Sequence, residues 1–337
     1  MLKGADHRIV TIDDGAAWHD ALDRCPHAFA HTLAYARAIA ASLKQPPVLY
    51  HGQYDGGSVI CPLSFRGAGA SDWYTPYGFS GFASASPIEA FAENWHAFAS
   101  ESGAVSHYTT QHPLLPSPLT TCHTAESAPS RSLFVVDLRR PPSAIRASFG
   151  QAIRRKLNRW DRQTPAIEDN SALLTDAFCA LYAATMRRAD ASSVYGFSAD
   201  TLRAWVGDAQ TVAIGTRIGG RIAAVTLFGY TPHCADYLFT VSTKAGRDHT
   251  TGLLWLAMQA LRQRGVPWVN LGGGIREHDG LARYKSGFGG DVRLLHALRM
   301  ICNKERYAAL CRDAGVSAEQ ADTGYFPPYY DARPAAA

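Results

Sequence analysis

The chain has 337 residues, 47% of them hydrophobic and 18% charged, with a formal net charge of +4. That length accommodates two domains with substantial cores. So small a net charge excludes a protein held to nucleic acid by its overall field, so any contact with a polyanion has to come from a local cluster.

The seven cysteines are odd in number and never fall in a Cys-x-x-Cys pair, a pattern that fits free thiols in a reducing compartment. Charges at Lys3 and Asp6 interrupt the start of the chain, which therefore lacks the apolar region of a signal peptide. No segment reaches about 18 uninterrupted apolar residues. The expectation is a cytoplasmic protein with no membrane span.

In chain order, residues 16–43 read as helix, with Trp18, Leu22, Phe29, Leu33, Ala36, Ile39 and Leu43 recurring every three or four positions and Pro26 marking a start. Cys25, His27 and His31 lie close together there, but no fourth ligand of matching spacing accompanies them, so they are not read as a metal site. Strands over 48–50 and 59–63 flank a Gly56-Gly57 turn. The stretch 72–82 carries five aromatics among Pro and Gly. It is either an aromatic loop packed on its own domain or one wall of a binding cleft.

A helix over 88–102 and a strand near 104–110 follow, then a Pro-, Ser- and Thr-rich linker within 112–132. A strand over 133–138 opens the second half. Residues 143–162 read as a basic helix with Ile145, Phe149, Ile153, Leu157 and Trp160 on one face and Arg155, Arg159 and Arg162 on another. That second face is either solvated or a phosphate-binding platform. A helix over 172–189 ends in Arg187 and Arg188, and Ser198 caps a helix over 199–206. Strands over 211–218, 221–230 and 235–241 precede a helix over 247–264 that stops at Gly265, and a strand over 266–271 completes a mixed α/β order.

The last strand runs into the stretch around which the chain is organised. Residues 268–290 hold seven glycines, six of them in two clusters, with Arg276, Glu277, His278, Asp279, Arg283, Tyr284 and Lys285 between the clusters. Charges among glycines make a poor hydrophobic core, so this segment is expected to be a loop facing a ligand that its backbone approaches closely.

The order of elements resembles an acetyltransferase-type (GNAT) fold, and the finer motifs resemble the Fem family of aminoacyl-tRNA-dependent peptidyl transferases. The carriers are Thr75-Pro76-Tyr77-Gly78-Phe79, Phe134-Val135-Val136-Asp137-Leu138 with the basic helix after it, Gly272-Gly273-Gly274, Leu281-Ala282-Arg283-Tyr284-Lys285-Ser286-Gly287-Phe288-Gly289-Gly290, and Tyr325-Phe326-Pro327-Pro328-Tyr329. The resemblance implies an α/β (α+β) fold of two tandem GNAT-like domains, each a mixed central sheet flanked by helices, with a cleft between them. Its expected organisation is a first domain over 1–120, a linker over 121–132, a second domain over 133–300, and a C-terminal segment over 301–337 packing back on the first domain.

The activity implied is transfer of an aminoacyl group from charged tRNA to an amine, such as a peptidoglycan-precursor peptide or a small natural product, with no permanently bound cofactor. Lys285, beside Tyr284, is the expected oxyanion-stabilising cation. Arg187, Arg188, Tyr195, Tyr237, Arg283 and Tyr77 are expected substrate contacts. Arg154, Arg155 and Arg159 are expected to meet the tRNA backbone, and His278 or Asp279 to act as base. The alternatives are an acyl-CoA-dependent GNAT N-acyltransferase and a non-catalytic peptide- or carbohydrate-binding module. Residues 244–252 retain Arg247 but depart from the spacing of a coenzyme A pyrophosphate loop and place Asp248 where the anion belongs, which weighs against coenzyme A.

Overall fold

The computed structural model describes residues 5–67, 69, 71–119, 127–189, 192–316 and 325–330. Its first half comprises β1 (Ala5–Thr11), α1 (Gly15–Asp23), α2 (Leu33–Ala40), β2 (Val48–Tyr54), β3 (Gly57–Arg66), β4 (Asp72–Tyr74), β5 (Ala83–Ser84), α3 (Phe91–Glu101) and β6 (Ser106–Thr110). The single helix expected over 16–43 is two helices. Pro26 lacks the N–H that would continue α1, and the Thr32 side chain accepts from the Tyr35 N–H to start α2 afresh.

The second half comprises β7 (Ser127–Asp137), α4 (Pro142–Ser148), α5 (Gln151–Gln163), β8 (Ala166–Glu168), α6 (Ser171–Arg188), α7 (Ala199–Gly207), β9 (Thr211–Ile218), β10 (Arg221–Tyr230), β11 (Ala235–Ser242), α8 (Thr250–Gln263), β12 (Trp268–Asn270), α9 (Gly280–Ser286), β13 (Asp291–Ile301) and α10 (Lys304–Asp313). The basic helix is interrupted at Phe149, which is extended and buried, and at Gly150, whose N–H donates to the Gly287 carbonyl at 2.8 Å. Residues 120–126 of the expected linker lie outside the described residues, and β7 is already running at Ser127.

Among the described residues the strands make one sheet in the order β1-β2-β3-β4-β6-β13-β7-β12-β11-β10-β9-β8, with β5 added beside β3. Strand β13, whose residues carry no periodic signal, pairs with β6 on one side and β7 on the other and so joins the two halves. Two neighbouring pairs of named strands are parallel, β4 with β6 and β11 with β12; the rest are antiparallel.

Each half packs helices against its part of the sheet. In the first half Trp95 and Phe91 of α3 meet Tyr50, Trp73 and Phe82. In the second, α4, α5 and α8 cover one face, while α6 and α7 cover the other with Phe178, Tyr182 and Trp205. Burying a large apolar side chain contributes about 1.5–3 kcal/mol, so these aromatic layers fix the sheet that carries the site.

The segment 325–330 lies against β3 and β4. Arg66 donates to the Tyr325 hydroxyl at 2.8 Å and the Phe326 carbonyl at 3.2 Å. The hydroxyls of Tyr329 and Tyr330 donate to the buried Asp72 carboxylate at 2.5 and 2.9 Å.

Candidate active site at the splayed strands

Strands β11 and β12 pair for two residues, Ala235 with Val269 and Asp236 with Asn270, and then diverge. Beyond that pair the main chain at Leu271 and Gly272 continues along β7 and stays apart from β11: Leu271 N–H donates to Phe134 O at 2.8 Å and Phe134 N–H to Gly272 O at 3.2 Å. Gly272 adopts φ +70°, and a Cβ there would sit 3.2 Å from Lys285 Nζ and 3.5 Å from the Phe79 ring. Glycine is what lets the ammonium and the ring approach this turn.

The expected loop over 272–290 is in fact a turn followed by a helix. The Asp279 carboxylate accepts from the N–H groups of Ala282, Ile275 and Arg276 at 2.7, 2.8 and 3.0 Å and starts α9. These bonds hold its carboxyl down to about 2. A carboxylate so committed is a weak proton acceptor near neutrality, which argues against Asp279 as a base. Glu277 is tied to β7 by the Ser132 hydroxyl at 2.6 Å and the Ser132 N–H at 3.1 Å. His278 is exposed, in left-handed backbone at φ +59°. The second glycine cluster serves packing: a Cβ at Gly289 would stand 2.1 Å from the Ser148 carbonyl.

Helix α9 delivers Lys285 inward. The side chain is buried, Nζ donates to Gly273 O at 2.9 Å, and it lies 5.1 Å over the Tyr237 ring. Burial is the main cause that pulls its ammonium down to about 8; the nearby Asp279 opposes this and Arg131 reinforces it. Burial also pushes the Tyr237 hydroxyl up to about 12. Tyr284 faces the other way. Its hydroxyl lies 3.1 Å from the Thr251 hydroxyl at the start of α8 and its ring packs on Phe288, so it anchors α9.

The expected site residues fall into separate groups. Tyr284 and Tyr237 pack against the core on the α5/α8 side, with Lys285 over the Tyr237 ring and Arg283 exposed on α9. Tyr77 and Tyr195 join the cluster on the α6/α7 side, where Tyr77 stacks on Phe239 at 5.9 Å. Arg188 is bound to the Ser242 carbonyl at the end of β11 at 2.6 Å, and Arg187 is exposed beside it. The aromatic segment of the first half connects the groups, reaching from Tyr77 at Phe239 to Phe79 at Gly272.

On α5, Arg154, Arg155 and Arg159 are exposed and make no ion pair among the described residues. Lys156 and Arg159 line a cleft with Trp160, Arg247, Asp248 and Thr251. Two of the amides that could cradle a pyrophosphate here have other partners: Gly246 N–H donates to Thr243 Oγ1 at 3.0 Å, and Thr250 N–H to the Arg247 carbonyl. The Trp160 indole covers Gly252, where a Cβ would come within 2.2 Å of it.

Sequence reasoning missed the relay beneath the turn. His112, from the first half, sits 3.2 Å from Asp236 of β11; Asn270 Nδ2 donates to the same carboxylate at 2.9 Å, and Gly272 N–H to Asn270 Oδ1 at 2.8 Å. His112 Nδ1 accepts from Leu114 N–H at 3.2 Å, so the imidazole proton belongs on Nε2, facing Asp236. Cys234 Sγ is near enough for His112, Cys234 and Asp236 to group as metal ligands. A protonated Nε2 has no lone pair for a metal, so the cluster is a hydrogen-bond relay that sets the Gly272 turn from both halves.

Residues 147–286 match the family described as an acetyltransferase (GNAT) domain. No curated protein matches the chain in sequence. Among solved structures, FemX is similar over 90% of this chain and 99% of its own, with TM-score 0.62 and 11% identity. A C-terminal DUF2156 domain from Agrobacterium fabrum, named for a lysylphosphatidylglycerol synthetase, covers 90% of this chain and 96% of its own, with TM-score 0.57 and 17% identity. L-PGS from Bacillus licheniformis covers 86% and 93%, with TM-score 0.56 and 11% identity. At these identities the likeness is one of fold: two GNAT-like halves on a shared sheet.

Proposed function

We propose that the protein transfers an aminoacyl group from a charged tRNA to an amine acceptor and forms an amide. The observation that carries this reading is the ammonium of Lys285, buried against the main chain of Gly272 and Gly273 where β11 and β12 part. The acceptor nitrogen attacks the ester carbonyl, a C–N bond forms, and the carbonyl oxygen becomes an oxyanion. The C–O bond to the tRNA 3′ end then breaks, and the acceptor's proton leaves to solvent or to the departing oxygen. An ester is already activated, so the protein's share is to position two substrates and steady the charge. An ammonium with one carbonyl partner, shielded from water, is well suited to that.

The exposed arginines of α5 support tRNA over coenzyme A as donor, as do the occupied amides before α8. The match to an acetyltransferase domain keeps acyl-CoA as the second reading. Mass spectrometry of candidate amines incubated with charged total tRNA or with acyl-CoA separates the two. Amide product with tRNA alone is the expected result, and product with acyl-CoA alone overturns it.

A further inference from the structure

Asp236 and Asn270 face one another across the last rung of β11/β12 before the strands part, and Asn270 Nδ2 donates to the Asp236 carboxylate at 2.9 Å. Both residues are buried, at 3% and 0% exposure. A slip of one residue would leave both groups unpaired in the core, so this polar pair fixes the register at the point of divergence. Successive strand residues point to opposite faces. Val269, Leu271 and Tyr237 pack in or against one core, and Lys285 lies over the Tyr237 ring. Asn270 and Asp236 therefore point away from the ammonium and reach it only through the main chain.

That main chain is pinned group by group. Gly272 N–H donates to Asn270 Oδ1 at 2.8 Å, and Gly272 O accepts from Phe134 N–H at 3.2 Å. With both of its polar groups committed, Gly272 directs the chain so that Gly273 O meets the Lys285 ammonium at 2.9 Å. At the other end Asp236 accepts from His112 Nε2 at 3.2 Å. His112 is itself fixed: its N–H donates to Ser80 O at 2.9 Å, its Nδ1 accepts from Leu114 N–H at 3.2 Å, and Gln111 N–H donates to His296 O at 2.9 Å. A carboxylate only accepts, so Asp236 obliges Asn270 to turn its nitrogen inward and its oxygen to Gly272. The series has one direction, from the first half to the turn beneath Lys285.

We infer that His112, Asp236 and Asn270 are positioning residues for Lys285, through which the first half of the protein sets where the ammonium of the second half stands. None of the three takes part in bond making. The inference rests on the transfer reading for its effect on turnover, whereas the coupling to Lys285 itself does not need it.

Isosteric substitutions test the series. Asp236→Asn sets an amide nitrogen against Asn270 Nδ2, donor against donor, and Asn270→Asp sets two carboxylates together. The double variant Asp236→Asn/Asn270→Asp restores every bond with the roles exchanged: the amide at 236 donates to the carboxylate at 270, which also accepts from Gly272 N–H. Lys285 is read by competitive labelling with acetic anhydride and peptide mass spectrometry over a pH series, and transfer by mass spectrometry of the amide product. Asp279 and Arg131, whose charges act on Lys285, are untouched throughout. The wild-type ammonium is expected to titrate with a midpoint of about 8, held down chiefly by burial. Each single variant loosens the turn and admits water, so the midpoint moves by about tenfold or more in proton concentration toward the ordinary 10.5. In each, kcat falls about tenfold or more with KM within about threefold, and the double variant recovers both midpoint and kcat to within about threefold. His112→Gln, which keeps a donor toward Asp236, stays near the wild type, whereas His112→Leu follows the single variants. Where a single variant fails to fold, the His112 variants and the double variant decide by the same readouts. A lowered Tm with the Lys285 midpoint and kcat unchanged overturns the inference, as does a double variant that recovers Tm without the midpoint. Absence of transfer from any donor while the labelling pattern holds overturns the transfer reading alone.

Discussion

The two parallel strand pairs of the sheet, β4/β6 and β11/β12, occupy equivalent places in the two halves and bury opposite charges in opposite ways. At the first, Asp72 accepts from Ser106 at 2.6 Å, Tyr329 at 2.5 Å, Tyr330 at 2.9 Å and Ser71 at 3.4 Å, and Arg66 is stacked between Tyr74, Tyr325 and Tyr330. At the second, Lys285 has a single carbonyl partner and one ring beneath it. A fully satisfied buried charge is part of a scaffold; a sparsely satisfied one holds unspent capacity for a substrate. The same supersecondary unit thus holds a fully partnered charge in one half and a sparsely partnered one in the other.

The sharpest way to break this contrast is to remove each charge. Lys285→Ala is expected to lower kcat by about 10²–10³, the usual loss for one oxyanion donor, while thermal unfolding shows stability unchanged or raised because a desolvated cation has gone. Asp72→Ala should do the reverse. Four hydroxyls lose their acceptor, destabilising the protein by about 2–4 kcal/mol, and kcat stays within about twofold. If denaturant melts show the two variants equally destabilised, the distinction between scaffold and site is wrong.

How much of this contrast the sequence carried depends on the range of each interaction. Lys285 was legible because its neighbours Tyr284, Gly287 and Phe288 lie within one short motif, and the strands 211–218 and 221–230 were legible because a Gly-Gly turn separates two apolar runs. The relay from His112 to Asp236 spans 124 residues, and nothing local to either residue announces the other. Strand β13 escaped because its first four residues are all exposed while most later ones are buried or half-buried, so it shows no clean alternation. Asp279 was read for its charge when its place ahead of α9 made it a cap. The glycines were read as making room for a ligand, whereas Gly289 makes room for Ser148.

A gentler perturbation is pH. Lys285 has a folded value of about 8 and an ordinary value of 10.5. Between these the unfolded chain binds the extra proton, so stability rises with pH through this window, by a contribution on the order of 3 kcal/mol for a shift of this size. On the proposed reading turnover uses the protonated ammonium, and it is expected to fall as pH passes about 8. The two profiles should therefore cross in opposite directions, and Lys285→Met should flatten both. A wild-type rate that climbs steadily to pH 10 would mean that the cation is not what the reaction uses.

The smallest effect expected lies outside the splay, on α5, and asks whether the second half carries a donor platform that the first half lacks. Arg155 and Arg159 are exposed on a helix whose buried face, Ile153, Leu157 and Trp160, is fixed in or against the core. Their replacement by alanine therefore leaves the fold intact and isolates their charge. If they meet phosphates, each displaces condensed counterions, and the slope of log affinity for tRNA against log salt concentration shrinks by about 0.7–0.9 per arginine. Affinity itself falls only several-fold near physiological salt, uniformly across tRNA sequences, because phosphate contacts carry no sequence information. Filter binding over a salt series measures this directly. A slope identical to the wild type's would return α5 to the role of a solvated surface and leave the occupied amides before α8 as the remaining argument about the donor.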